Sequence, residues 1–348
     1  MQLCKILLLS LLFPAGASLA AQPVQTIISG WELTCDNFSA CQGRNLNSNS
    51  GLIISFYRHS SRAVSWVHIE QPPGITQAAT ETPLIQRLRI DNQPLGSVPA
   101  TQRRNALLID NPGVAQQILA VLARGQRLSA GQAGETGTDL TALAAVLAEA
   151  DKLQPVVKMI PAVPKATLPP APALTVEDRQ PVPVTPLTAG EISNFVDYAI
   201  SQIDENSCPL APVFRQIKLA ALNNAEALML ISCESAAYNT FFQAYRISRQ
   251  VPLIARRQMF RLPFNYPQGF ELSNVGYDPQ RRELTTLLWG RASGDCGTAS
   301  QWRYDGQRFV LDKFISESGC DHWHSARDWP VLWSSPSADR KLSADAGT

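Results

Sequence analysis

Four histidines are present, and two of them fall in Cys320-Asp321-His322-Trp323-His324. On an extended strand, residues two apart project from one side, so His322 and His324 would share a face and could bind a metal with a third ligand. Only two ligands of a plausible set are near, and Cys320 would have to serve either a metal or a disulfide. Solvated histidines at a sheet edge are the simpler expectation, so no metal site and no cofactor is assigned.

Covalent catalysis needs a nucleophile held by a base and an orienting group. The chain has no G-x-S-x-G turn, and Gly290-Arg291-Ala292-Ser293-Gly294 has the wrong spacing. A pair of carboxylates for sugar hydrolysis is a property of the fold, not of spacing. Asp278, Asp295, Asp305 and Asp321 all sit in turn-like contexts. No phosphate-binding glycine loop opens a helix. Five of the seven tryptophans lie late, at positions 289, 302, 323, 329 and 333. An exposed row of them could stack on sugars or anchor a partner, but sealing a small core is the plainer use.

These residues need a scaffold. The chain has 348 residues, 45% hydrophobic and 17% charged, with 30 basic against 29 acidic side chains. That is long enough for about two domains and too apolar for wholesale disorder. The charge balance removes any general pull toward nucleic acid or anionic lipid.

Residues 1–20 (MQLCKILLLSLLFPAGASLA) combine Lys5, an apolar run over 6–13 and small residues at Ser18 and Ala20. This is the pattern of a cleaved secretory signal peptide, which places the mature protein in the periplasm with no transmembrane segment. Seven cysteines less Cys4 leave Cys35, Cys41, Cys208, Cys233, Cys296 and Cys320. An even set in an oxidising compartment argues for structural bridges. Fifteen pairings are open, and Cys35–Cys41, Cys208–Cys233 and Cys296–Cys320 are the simplest. By loop-closure entropy they would contribute roughly 2.4, 3.5 and 3.5 kcal/mol.

Nine of the 25 prolines and no glycine lie between Pro155 and Pro186. Such a stretch favours extended polyproline II and reads as a linker over 155–186. It separates an N-terminal α+β module (21–154) from a β-rich C-terminal module (187–333), with a small, polar, disordered tail at 334–348. The fold class is thus α+β and β-rich, with two modules of mostly antiparallel strands and a few helices.

In the first module, 51–57, 63–69, 84–90 and 106–109 read as strands. Asp110-Asn111-Pro112 starts a helix that Gly125 stops. A second helix starts near Thr138 or Asp139 and aligns Leu140, Leu143, Ala144 and Leu147. In the second, Thr188-Ala189-Gly190-Glu191 is a capping box opening a helix with a stripe of Ile192, Phe195, Val196, Ala199 and Ile203. Strands are expected at 213–220, 227–233, 240–247, 271–276, 283–289, 300–304 and 308–314. Asp305-Gly306 predicts a two-residue hairpin turn pairing Tyr304 with Gln307 and Trp302 with Phe309. That register puts Trp302, Tyr304, Phe309 and Leu311 on one face, and Arg303 opposite Arg308.

Several motifs then recur in order: Trp31-Glu-Leu-Thr-Cys35-Asp36-Asn37 before Cys41, Cys233-Glu-Ser-Ala-Ala-Tyr238-Asn239, Gly294-Asp295-Cys296-Gly297, Trp302-Arg-Tyr-Asp305-Gly306 with Phe309, and Trp329-Pro-Val-Leu-Trp333. Together they resemble the bacterial domain of unknown function 1176 family, a group of exported envelope proteins, over about residues 27–333. A glycine is expected before Ala-Tyr-Asn and is absent here. The opening module is also similar to invasion-associated locus B proteins. The family resemblance implies export and architecture but no catalytic residue. The expectation is a non-enzymatic periplasmic binding or interaction protein, stabilised by disulfides, whose partner is an envelope protein or glycan. The contact residues would be Asp295, His322, Trp323 and His324. The alternatives are an envelope hydrolase using acidic residues at a cleft, or an adhesion or host-contact factor.

Overall fold

The computed structural model describes residues 21–46, 51–72, 82–103, 105–130, 137–154, 184–204 and 206–336. The expected signal peptide, most of the Pro-rich segment (155–183) and residues 337–348 lie outside the described residues. Among the described residues, no helix is long and apolar enough to cross a membrane.

The N-terminal part opens with an antiparallel run: β1 (Val24–Ile28), β2 (Trp31–Cys35), β3 (Cys41–Asn45), β4 (Ile53–Arg58) and β5 (Val64–Glu70). There follow α1 (Leu84–Arg87), β6 (Arg89–Ile90), β7 (Gln93–Pro94), β8 (Thr101–Arg103), β9 (Ala106–Ile109), α2 (Pro112–Leu122), β10 (Arg127–Ser129), β11 (Thr138–Asp139) and α3 (Leu143–Leu153). The main sheet has the order β1-β2-β3-β4-β5-β9-β8, and a small one has β11-β10-β6-β7.

Strand alternation gives the main sheet two unlike faces. Leu33, Ile54, Phe56, Val67, Ile69, Leu107 and Ile109 point inward and form one core with Leu119 and Leu122 of α2 and Leu143 and Val146 of α3. Gly43 is required there, because a Cβ would lie 2.3 Å from the Phe56 ring. The opposite face carries Glu32, Arg44, Ser55 and His68 in one cross-strand row.

The C-terminal part contains α4 (Ala189–Ser201), a short 3-10 turn at Pro212–Phe214, β12 (Ile217–Ala221), β13 (Glu226–Ser235), β14 (Thr240–Ser248) and β15 (Ala255–Arg257). β16 (Gly276–Asp278), β17 (Glu283–Trp289), β18 (Gly297–Tyr304), β19 (Phe309–Glu317) and β20 (Val331–Ser334) complete it. Strands β12–β15 form one sheet and β16–β20 a second, each in sequence order. β13 is apolar on both sides. Leu228 and Leu230 pack toward Leu284, Trp302 and Phe314 of the second sheet, while Met229 and Ile231 pack on Phe195 and Ala199 of α4. The capping box closes α4: the Thr188 side chain accepts from the Glu191 N–H and Glu191 accepts from the Thr188 N–H. Arg249 holds Glu191 as a carboxylate, at a pKa of about 2.

The described residues contain three disulfides: Cys35–Cys41, Cys208–Cys233 and Cys296–Cys320. The fold is α+β and β-rich, with antiparallel pairing throughout the four sheets.

Several local expectations are corrected. Residues 84–90 form α1 and then β6, because Pro83 precedes a single helical turn. The second helix begins at Leu143; Thr138 and Asp139 instead pair with β10, and Asp139 Oδ1 accepts from the Thr141 N–H at 2.8 Å in a turn. Ala144 is exposed while Val146 and Ala150 are buried. Ile192 of α4 is also exposed. The hairpin turn slides by one residue. Asp305 Oδ1 accepts from the Gln307 and Arg308 N–H groups, so Tyr304 pairs with Phe309 and Trp302 with Leu311. Each partner changes by two, so the buried face survives, and Arg303 faces Val310. Ordered chain continues past Trp333: Ser334 and Ser335 are buried, and Ser334 pairs with Lys313.

Candidate functional site

The two parts of the chain meet on the polar face of the N-terminal main sheet. The end of β19 and the segment after it, residues 317–328, lie across it. Gly319 comes so close that a Cβ would sit 2.1 Å from Leu46 Cδ2. Arg44 is 4% exposed, and its Nη1 lies 2.6 Å from Glu317 Oε2 and 3.8 Å from Asp321 Oδ2. Its Nη2 donates to the Asp328 carbonyl at 2.9 Å. Glu32 accepts from the Ser318 N–H at 2.9 Å and from its hydroxyl. Burial, then the neighbouring Glu32 carboxylate, push Glu317 far up against the pull of Arg44.

His324 is 7% exposed and lies between two carboxylates. Its Nε2 is 2.9 Å from Glu70 Oε2, and its Nδ1 is bonded to Asp321 Oδ2. Carboxylates only accept, so both ring nitrogens must donate and the ring is an imidazolium. Burial opposes that charge, but the bonds to Asp321 and Glu70 outweigh it and raise the pKa of His324. Burial likewise works against ionised Asp321 and Glu70, and the His324 bonds outweigh it, holding both below the usual carboxylate range. His68 stands beside this pair, Nδ1 at 3.4 Å from Glu70 Oε2. Burial is the main reason its pKa is lowered, so it is neutral at neutral pH.

A loop of the second sheet positions the crossing segment. Cys296–Cys320 ties it down beside Asp321, and Asp295 Oδ2 accepts from the His322 N–H at 2.6 Å. Asp295 is itself gripped by Arg291 at Oδ1 (2.8 Å) and Oδ2 and by the Ser293 hydroxyl. Arg291 is the main cause of its strongly depressed pKa. Farther along, the Asn37 side chain pairs with one backbone unit of β20: Nδ2 donates to the Ser334 carbonyl (3.0 Å) and Oδ1 accepts from its N–H (2.9 Å). Asn239 does the same to Trp289 within the C-terminal part.

Beside His68 the face is open as a groove of about 380 Å³ lined by Trp66, His68, Glu70, Thr101, Arg103 and Leu108, with Ala106. The floor follows from register. Ala106 stands between Glu70 and Arg103, and Leu108 between His68 and Thr101, so two small or slender side chains separate two polar walls. Trp66 stacks on Tyr57 at 6.0 Å and 14°, and the neighbouring Trp323 side chain helps to hold Glu70 as a carboxylate.

The four residues singled out from sequence are thus near one another but differ in kind. Residues 320–324 are not a strand, and His322 is a left-handed turn residue with φ 63°. The two histidines share no strand face, which removes the geometry behind the metal reading. His324 is not solvated but enclosed. Trp323 is 40% exposed, whereas Trp302 and Trp329 are buried. Asp295 has its carboxylate fully engaged. Sequence reasoning missed Glu32, Arg44, Glu70 and Glu317. The available signal was a charge in the middle of otherwise apolar strands, as in Trp31-Glu32-Leu33.

The chain is 35% identical over 326 residues, 90% of this chain and 93% of the other, to "Uncharacterized protein YpfG" of Escherichia coli (strain K12). No solved structure matches it. The model of a protein family of unknown function, DUF1176, matches residues 25–336. The chain therefore belongs to the DUF1176 family.

Proposed function

We propose that this is an exported, periplasmic, non-enzymatic binding or interaction protein, and that it contacts its envelope ligand at the groove beside the His324 joint. The observation that carries the reading is the state of His324. An imidazolium held at both nitrogens by carboxylates has no lone pair to act as a base, and it neutralises the Glu70 side of the groove. The groups best suited to acid–base work are spent on joining two parts of the chain. What stays open to solvent is an aromatic and polar channel suited to recognition.

The hydrolase alternative is weaker, because Asp295 is engaged by Arg291 and Ser293. Host contact through the Cys35–Cys41 motif is weaker too, because the Asn37 side chain is occupied by Ser334.

Cross-linking from position 323 in native envelope tests the proposal. Capture of a defined partner that Ala106→Trp abolishes, by filling the groove, is the expected result. Turnover of an envelope polymer, lost on Glu70→Gln or Asp295→Asn at unchanged stability, would replace the binding reading with the hydrolase.

A further inference from the structure

We infer that the groove takes an acidic saccharide, a sugar ring carrying a carboxylate. This rests on the proposed binding role and gives it a ligand class. Three features converge. First, Trp66 and Tyr57 lie nearly parallel on the outward face of adjacent strands. A half-buried indole at the groove wall offers an apolar plate against the C–H face of a sugar ring, while the neighbouring polar groups meet its hydroxyls.

Second, the walls differ in charge availability. Glu70 is paired with His324 at 2.9 Å. Across Ala106, the Arg103 side chain lines the groove as a cation from the exposed strand β8. A guanidinium is suited to a carboxylate in a two-pronged bond. His68, neutral, and the Thr101 hydroxyl supply uncharged donors and acceptors between the two walls.

Third, the size fits. A channel of about 380 Å³ is within the usual range for small-ligand sites, and it admits one or two sugar units. The floor of Ala106 and Leu108 leaves room that larger side chains would take.

The test is calorimetric titration of the full mature chain with three probes: a galacturonate trimer, the N-acetylglucosamine–N-acetylmuramic acid disaccharide and neutral chitotriose. An acidic probe should bind at least about tenfold tighter than chitotriose, a difference of ~1.4 kcal/mol. Arg103→Gln, at an exposed strand position, should erase that preference. Ala106→Trp should abolish binding of every probe, with Trp66→Ala as a second variant if the first does not fold. Absence of binding by all three probes overturns the inference, as does equal affinity for the neutral and acidic probes. If no saccharide binds while position-323 cross-linking remains sensitive to Ala106→Trp, the ligand class is wrong and the binding role stands. If neither is seen, both fall.

Discussion

The two faces of the N-terminal main sheet are built from the same five long strands and are held by opposite physics. The inner face buries Leu33, Ile54, Phe56 and Val67 against helices that follow in the same part of the chain. The outer face buries Glu32 and Arg44 against Glu317 and Asp321, nearly three hundred residues away. Apolar burial is non-directional, so many side chains of suitable volume would serve the inner face. The outer face works only if each charge meets its partner, since an unpaired buried charge costs several kcal/mol. The first face supplies stability. The second specifies which surface may dock.

The comparison can be broken at either face. Phe56→Ala leaves a ring-sized void on the inner side and should cost about 3–5 kcal/mol in denaturant unfolding. A loss under about 1 kcal/mol would show that the helices collapse onto the gap. Arg44→Ala should cost ~3–5 kcal/mol by leaving Glu317 buried without its partner, and should make 317–328 sensitive to protease. Pairing Arg44→Met with Glu317→Leu sharpens the contrast: the double variant should recover most of the loss. If it is as unstable as Arg44→Ala, the cluster contributes more than compensation of its own burial.

Gly319→Ala pushes a methyl group into Leu46 and should cost about 1–3 kcal/mol, confined to docking of the segment. Asn37→Ala removes two hydrogen bonds to Ser334, worth about 1–2 kcal/mol together. The matching Asn239→Ala loses a similar pair within the C-terminal part, so only the first should loosen the joint.

The smallest and most gradual effect is that of pH. The raised pKa of His324 adds stability below its unfolded value, lost as pH rises through the folded one. The lowered pKa values of Asp321 and Glu70 add stability above their unfolded values, lost on acidification through the folded ones. Raised Glu317 costs stability as pH climbs above its ordinary value, and lowered His68 opposes protonation below its own. Arg44, Glu32, Arg103 and Arg291 are further charges facing the cluster. The joint should be firmest at roughly pH 4.5–6.5. Unfolding of the wild type and His324→Gln across that range and up to roughly pH 8.5 isolates the His324 share. Parallel profiles would remove it.

What could be read in advance follows the same division. The alternation in 51–57 and 63–69, the Asn111-Pro112 start of α2 and the box at Thr188–Glu191 are local, and each lies within a few residues of its sequence-predicted place. The start of α3 was obscured because Asp139 caps a turn and its neighbour pairs with β10, a tertiary choice over a local one. The hairpin at Asp305 kept its face and lost its register, because a side chain bonding back to the turn moved the bend by one residue. His324 was visible as a residue but not as an imidazolium, since that depends on Glu70, 254 positions away. Asn37 was legible as a motif whose partner was not.

The pairings across the joint link Gln25 to Ser316 and Asn37 to Ser334, separations of 291 and 297 residues. Contacts between such distant points close the largest loops in the molecule, and long loops close late. During synthesis the first sheet and its helices can fold well before β20 has emerged, so the polar face waits in water for its cover. Assembly therefore has a fixed last step. A chain cut short before Glu317 would keep the first sheet and its helices and lose the clasp that covers their polar face.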